Sequence, residues 1–183
     1  MKRVAVTIGT FLLAVVLVGC MGAAPIKPVS GPDASVAYGN ISLPNKHITN
    51  VMLYKVGEIY APPFKSPPRG HTYTNGNFFF ENLEPDQYYL MGFMSGQDAF
   101  YFNYQGIQKE EFIKKVAIDI KPGEVTYLGS FKVTGIERNF IKSDTFDIKP
   151  SETPTRNSIL LQLKEAAKGT GWDQRFAKAA QSK

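Results

Sequence analysis

Hydrophobic residues along this chain occur in short runs that are separated by turn-forming residues. Continuous or alternating apolar runs of this length, bounded by Gly, Pro, Asn and Asp, are typical of β-strands. The pattern predicts strands over residues 34–42, 51–56, 77–81, 88–94, 98–104, 112–120 and 125–133. Seven short strands at this spacing predict a mainly β fold, in the form of an antiparallel seven-stranded β-sandwich.

Turn residues and glycines refine this pattern. Asn75-Gly76 is a strong turn signal ahead of the third strand, and Pro122-Gly123 fits the centre of a type II turn ahead of the seventh. The four prolines between residues 57 and 74 exclude a central strand there, because each removes a donor from the hydrogen-bond ladder. Gly39 indicates a bulge or a close approach of another backbone within the first strand.

The hydrophobic period changes in the C-terminal segment, residues 150–183. Thr153 is suited to cap a helix that has Pro154 in its first position, and Gly169 is suited to end it. One face of this helix carries Ile159, Leu160, Leu163, Ala166 and Ala167. A second helix is predicted over residues 172–180. We expect the pair to pack on the sandwich or to cover a sheet edge, and the alternative is a docking element for a partner.

A longer signature lies in residues 74–90. It combines an Asn-Gly turn, the aromatic strand Phe78-Phe79-Phe80, the turn Leu83-Glu84-Pro85-Asp86 and a strand that contains tyrosines. This combination resembles carboxypeptidase-regulatory-like, or transthyretin-like, β-sandwich domains, with Asp86 where that family usually has Gly. The resemblance covers roughly residues 34–94. It implies an Ig-like sandwich that serves as an accessory module without catalytic residues of its own.

The amino terminus carries the most specific signal in the chain. Lys2 and Arg3 precede an apolar run over residues 4–18, which is followed by small residues and Cys20. A positive start, a short hydrophobic core and small residues before a cysteine form a secretion signal. Leu17-Val18-Gly19-Cys20 resembles the lipobox of bacterial lipoproteins, in which the cysteine thiol is acylated and the cysteine becomes the new amino terminus.

This signal defines the predicted organisation and location. Secretion without a lipid is the alternative, since Gly22-Ala23-Ala24 offers other small residues for cleavage. Met21 occupies the position where an Asp marks inner-membrane retention in the resembled class, which favours the outer membrane, on its periplasmic side or at the cell surface. The predicted parts are a signal peptide over 1–19, lipidated Cys20 and a flexible tether over 20–33, the sandwich over 34–149 and a helical extension over 150–183.

Composition argues against several function classes. The net charge of +5 falls to +3 without residues 1–19, which carry Lys2 and Arg3 and no acidic residue. The remaining basic residues are scattered, so we do not expect nucleic acid binding. Cys20 is the only cysteine, so the fold has no disulfide. His47 and His71 are interpreted as loop residues without metal-ligand spacing, and we predict no metal site and no cofactor.

The search for chemistry leaves aromatic side chains as the candidates. Ser95 lies in a sequence that narrowly misses G-x-S-x-G and lacks the strand-to-helix context, so we predict that the protein is not an enzyme. Aromatic residues dominate many binding surfaces. The candidate binding residues are Tyr60, Phe64, Tyr73 and Tyr101. Two functions stay open: an accessory module that contacts another envelope protein, and a lipoprotein that binds cell-wall or surface glycans.

Overall fold

The computed structural model describes residues 25–60, 65–102, 109–137 and 145–182, so the predicted signal peptide, Cys20 and Phe64 lie outside the described residues. The fold in these ranges is mainly β, as the sequence predicted. Its strands are β1 Ser35–Ser42, β2 Asn50–Lys55, β3 Gly70–Thr72, β4 Asn77–Leu83, β5 Asp86–Ser95, β6 Asp98–Tyr101, β7 Ile118–Ile120, β8 Val125–Glu137 and β9 Thr145–Pro150. Its helices are α1 Lys109–Val116, α2 Arg156–Ala166 and α3 Trp172–Gln181.

The strands form two sheets that share one hydrophobic core. One sheet has five strands in the order β3-β4-β1-β8-β9, and the other has the order β2-β5-β6 with β7 also paired to β5. Phe78 and Phe80 of the first sheet pack with Leu53 and Phe93 of the second. Phe79 faces the opposite way, into a second cluster, because successive side chains of a strand alternate between its two faces.

Strand direction differs from the prediction. β1 pairs with β8 in parallel, from Val36 opposite Val125 to Ser42 opposite Lys132. The prediction of a wholly antiparallel arrangement is therefore wrong. Hydrophobic alternation reports which face of a strand is buried, and it carries no information about the direction of the neighbouring strand.

The predicted irregularity at Gly39 is confirmed. The register between β1 and β8 shifts between Tyr38 and Gly39, as at a bulge. A Cβ atom at Gly39 would lie 2.6 Å from the carbonyl oxygen of Gly129 and 2.8 Å from Cζ of Phe78. Glycine is needed here because a backbone and an aromatic ring both approach it closely.

We expect Gly39→Ala to lower the free energy of unfolding by about 1–3 kcal/mol, because the added methyl group overpacks this contact. Urea denaturation, compared at a constant m-value, measures the change. Gly31→Ala is the matched control, since a Cβ at Gly31 meets nothing within 4 Å. Equal effects of the two substitutions would contradict the close approach at Gly39.

The predicted sixth strand, residues 112–120, is also wrong. Most of this segment is the end of α1, and only β7, Ile118–Ile120, is extended. Glu110 and Glu111 lie in the first turn of the helix and Lys114 and Lys115 in its last turn, which complements the helix dipole. The Lys115 ammonium also lies 3.0 Å from the Glu111 carboxylate one turn away.

Two strands were not predicted, and both lie at the edges of the five-stranded sheet. β3 falls within the proline-rich segment, where the prolines exclude a central strand, and it has only three residues. β9 follows a polar segment, and its Phe146 and Ile148 pack against the shared core. Edge strands can be short and can tolerate nearby prolines, which makes their sequence signal weak.

The predicted helical pair packs on the outer face of the five-stranded sheet, as expected. The cap of α2 is Thr155 rather than Thr153, and its hydroxyl accepts a hydrogen bond from the Ser158 N–H at 3.3 Å. The helical side of the cluster consists of Ile159, Leu160, Leu163, Ala167, Trp172, Phe176 and Ala179, and the strand side of Ala34, Val36, Tyr38 and Phe79. The main apolar face of the pair is thus buried within the chain.

Candidate functional site

A cleft of about 1040 Å³ lies on the side of the molecule where β2 and β3, the edge strands of the two sheets, approach each other. Residues from six separate segments line it, from the N-terminal segment to the start of β5. Its charged side chains are Lys27, Lys55, Glu58, Lys65, Arg69, Glu81 and Glu84. The cleft is the candidate site because it gathers charges that are far apart in the sequence.

The Lys55 ammonium pairs with three carboxylates at one end of the cleft. Its ammonium lies 2.9 Å from Asp86, 3.4 Å from Glu84 and 3.8 Å from Glu58. The hydrogen bond to Asp86 is the main cause that raises the pKa of Lys55, and the same bond is the main cause that lowers the pKa of Asp86. Lys65, 3.0 Å from Glu58, lowers the pKa of that carboxyl. These carboxylates are therefore paired with lysine side chains of the same chain.

Acid is expected to weaken this end of the molecule. Asp86 and Glu58 have lowered pKa values in the folded chain, while their unfolded values are about 3.9 and 4.3. Their contribution to stability is thus present above the unfolded values and is lost as the pH falls through the folded ones. Urea midpoints measured from about pH 5 to about pH 2 should fall less steeply for Asp86→Asn than for the natural chain.

Glu110→Gln on α1 is the control for this titration, because Glu110 is an exposed carboxylate remote from Lys55 in the sequence. We expect its pH profile to match that of the natural chain. Added salt should reduce the difference between Asp86→Asn and the natural chain, since the Lys55–Asp86 ion pair is accessible to solvent. A profile of Asp86→Asn that is identical to the natural one would contradict a stabilising role for the Lys55 pair.

His71 and Glu81 form a second ion-pair geometry in the cleft. The His71 Nε2 atom lies 3.3 Å from Glu81 Oε1, and the two side chains are only 9% and 8% exposed. The His71 ring stacks on Phe79 with 4.7 Å between the ring centres. The backbone N–H of Lys27 donates to both Glu81 carboxylate oxygens at 2.9 Å. The interpretation of His71 as a loop residue is therefore wrong, because it lies in β3 and its ring is packed. His47 is exposed, outside the strands.

Lys27 and Arg69 differ from the other cations of the cleft. Within the described ranges neither side chain forms an ion pair, whereas Lys55 and Lys65 both do. Both residues are exposed. Two cationic groups are thus available to a ligand at the cleft, beside carboxylates that Lys55, Lys65 and the His71 ring already contact. No sequence signal identified these residues, because their surroundings come from distant segments.

The predicted aromatic binding residues do not form one surface. Tyr60 lines the cleft, and its hydroxyl accepts a hydrogen bond from the backbone N–H of Lys55 at 3.1 Å. Burial raises the pKa of Tyr60 to about 12. Tyr73 packs on Phe79 in the helix-covered cluster. Tyr101 is 49% exposed on β6, at the edge of its sheet opposite to β2. Of the three that lie in the described ranges, the structure brings only Tyr60 to the cleft.

The N-terminal segment, residues 25–33, is bound to the fold. Asn82 holds it from one side: its Oδ1 accepts the Ser30 N–H at 2.9 Å and its Nδ2 donates to the Pro28 carbonyl at 3.1 Å. The Trp172 Nε1 donates to the Lys27 carbonyl at 3.0 Å from the other side. The predicted flexible tether over 20–33 therefore does not hold for this part. Proline and glycine correctly indicated irregular backbone, but distant side chains satisfy its polar groups.

The fold and the cleft together define a mainly β protein of two packed sheets, with a helical pair on one face and a mixed-charge cleft between two sheet edges. In the described ranges no three His, Cys, Asp or Glu side chains are grouped so that they could hold a metal ion. Helices long and apolar enough to cross a membrane are likewise not found among the described residues. No protein-family model matches the chain, and no curated protein matches it.

Proposed function

We propose that this chain is a lipid-anchored, non-catalytic binding module of the bacterial cell envelope, which contacts another envelope protein through the cleft. The lipobox-like Leu17-Val18-Gly19-Cys20 supports the anchor and the envelope location, and Met21 in the place of an Asp supports the outer membrane. The resemblance of residues 74–90 to transthyretin-like domains supports an Ig-like accessory module. The observation that carries the binding role is the pair of available cations, Lys27 and Arg69, at the cleft.

A protein partner fits the chemistry of the cleft better than the glycan alternative. An arginine guanidinium binds carboxylates through two parallel hydrogen bonds, and arginine and tyrosine are common at the centres of protein interfaces. Arg69 and Tyr60 supply these two groups in one cleft. A sugar-stacking surface would need several exposed rings side by side, whereas Tyr73 and Tyr101 lie elsewhere.

The titratable groups of the cleft support a binding role rather than catalysis. The Glu81 carboxylate accepts the Lys27 N–H with both oxygens, and its neighbour His71 is stacked on Phe79. Glu58 and Asp86 bind Lys65 and Lys55. A general acid or base must reach a proton on its substrate, and these groups are held by structural contacts.

Site-specific crosslinking in intact cells tests the proposal. A photoreactive amino acid at Ser66, an exposed residue that lines the cleft, should capture one envelope protein reproducibly. The same group at Tyr101, which is exposed at the sheet edge opposite to β2, is the control and should not capture it. Combining Lys27→Gln with Arg69→Gln should reduce the yield about tenfold or more, because each loses a charge-assisted hydrogen bond.

Capture from both positions alike, or a yield that the double substitution leaves unchanged, would contradict binding through the cleft. Retention of the purified protein on cell-wall material, lost in Tyr60→Ala, would replace the protein partner with a glycan.

A further inference from the structure

The N-terminal segment joins the predicted anchor to one particular end of the molecule. We propose that this docking turns the end of the two-sheet body that carries the β4–β5 turn toward the membrane and holds the adjacent end of the cleft beside the bilayer. The inference rests on the proposed lipidation of Cys20, and it adds the orientation of the protein and the place where its partner must be.

The segment is bound by β4 on one side and by α3 on the other, and these two elements are far apart in the sequence. From β4, Glu81 accepts the Lys27 N–H and Asn82 binds both Pro28 and Ser30. From α3, the fully buried Trp172 donates to the Lys27 carbonyl, and the Arg175 guanidinium donates to the Gly31 and Pro32 carbonyls at 2.9 and 3.1 Å. The position of the segment is therefore set from Lys27 onward.

This docking limits how far the body can stand from an anchor at Cys20. Seven residue steps separate Cys20 from Lys27, and an extended chain covers at most about 3.6 Å per step, so the span cannot exceed about 25 Å. A free tether through residue 33 would have reached about 47 Å by the same bound. The bound holds for any conformation of the connecting residues.

The contacts also identify which end is held. Lys27 and Ser30 meet Glu81 and Asn82 near the end of β4, and the two-residue turn Glu84-Pro85 then leads into β5. The ten residues of β5 run away from this turn for about 30 Å, to the hairpin tip at Gln97. Glu84 thus marks the membrane end and Gln97 the distal end.

The cleft begins at the membrane end, where Pro25, Lys27 and Glu84 line it, and it runs along the strands to Asn50, which pairs with Met94 near the distal end. A ligand bound at the end of the cleft that contains Lys27 is then close to the bilayer surface. An envelope protein carried by the same membrane meets this condition, and we assign the partner of the cleft to that class.

Energy transfer to lipid headgroups tests the orientation. Cys20 is the only cysteine, so acylation leaves an introduced cysteine as the single reactive thiol. Glu84→Cys, at a side chain that is 81% exposed, and Gln97→Cys, at an exposed residue, each carry a donor dye. The full lipidated protein is placed in phosphatidylcholine vesicles that contain a headgroup-labelled acceptor lipid. We expect clearly stronger transfer from position 84 than from position 97.

A longer connection provides the matched control. Insertion of ten Gly and Ser residues between Ala24 and Pro25 should lower the transfer from position 84 and reduce the difference between the two positions. Equal or reversed transfer in the protein without the insertion would overturn the orientation while the lipid anchor stands. A mature protein whose amino-terminal mass shows no acyl group would overturn the anchor, and the orientation with it.

Discussion

Replacing Trp172 with alanine is expected to lower the free energy of unfolding by about 3–5 kcal/mol, the range for removing a large aromatic side chain from a packed core. Trp172 is fully buried in the cluster between the helical pair and the five-stranded sheet. Its indole N–H donates to the Lys27 carbonyl at 3.0 Å, and the Arg175 guanidinium lies 5.1 Å from its ring centre. The substitution therefore removes apolar packing, a hydrogen bond and a cation–π contact together.

Urea unfolding followed by circular dichroism measures this loss, because Trp172 is the only tryptophan and its fluorescence disappears in the variant. Leu161→Ala is the control from the same helical pair, since Leu161 is 56% exposed; its effect should stay within about 0.5 kcal/mol. Hydrogen exchange of the Val29 and Ser30 amides should also become faster in Trp172→Ala. A loss no larger than that of Leu161→Ala would contradict the role of Trp172.

Replacing Cys20 with serine is expected to remove the protein from the membrane fraction. Each buried CH₂ of an acyl chain contributes roughly 0.8 kcal/mol, so two or three chains, as in the lipoproteins that the segment resembles, make detachment negligible. Serine has no thiol for the thioether bond to the diacylglyceryl group. The loss of membrane association should therefore be nearly complete.

Cell fractionation and the mass of the amino-terminal peptide measure this outcome. Met21→Ala is the control: it changes the neighbouring residue and keeps the thiol, so the protein should stay with the membrane. An unmodified amino terminus beyond Cys20 in the natural protein would contradict lipidation and favour secretion without an anchor.

The hydrophobic period correctly predicted which face is buried where that depends on a single strand or helix. Phe78 and Phe80 face the shared core and Phe79 faces the helices, as the two-residue repeat of a strand requires. The helix containing Leu163 buries most of its predicted apolar face for the same local reason, whereas Ala166 of that predicted face is exposed. Periodicity failed over residues 112–120, where a helix end and a three-residue strand together imitate one apolar run.

The cleft could not have been predicted in this way. His71 and Glu81 are ten positions apart and meet because β3 and β4 pair as antiparallel strands. Lys27 joins them only because Trp172 and Asn82 hold the N-terminal segment in place. Proline and glycine content indicated irregular backbone in that segment, but the groups that fix it come from distant parts of the chain.

Local patterning accounts for the mainly β character, for the buried faces of the strands and for the glycine at the bulge, because each depends on the backbone geometry of a few neighbouring residues. The sequence is also the source of the proposed anchor at Cys20, which is a local signal. Folding of the whole chain decides the parallel pairing of β1 with β8, the docking of residues 25–33 and the charges that line the cleft. These features arise from contacts between distant segments, which no local pattern of residues encodes.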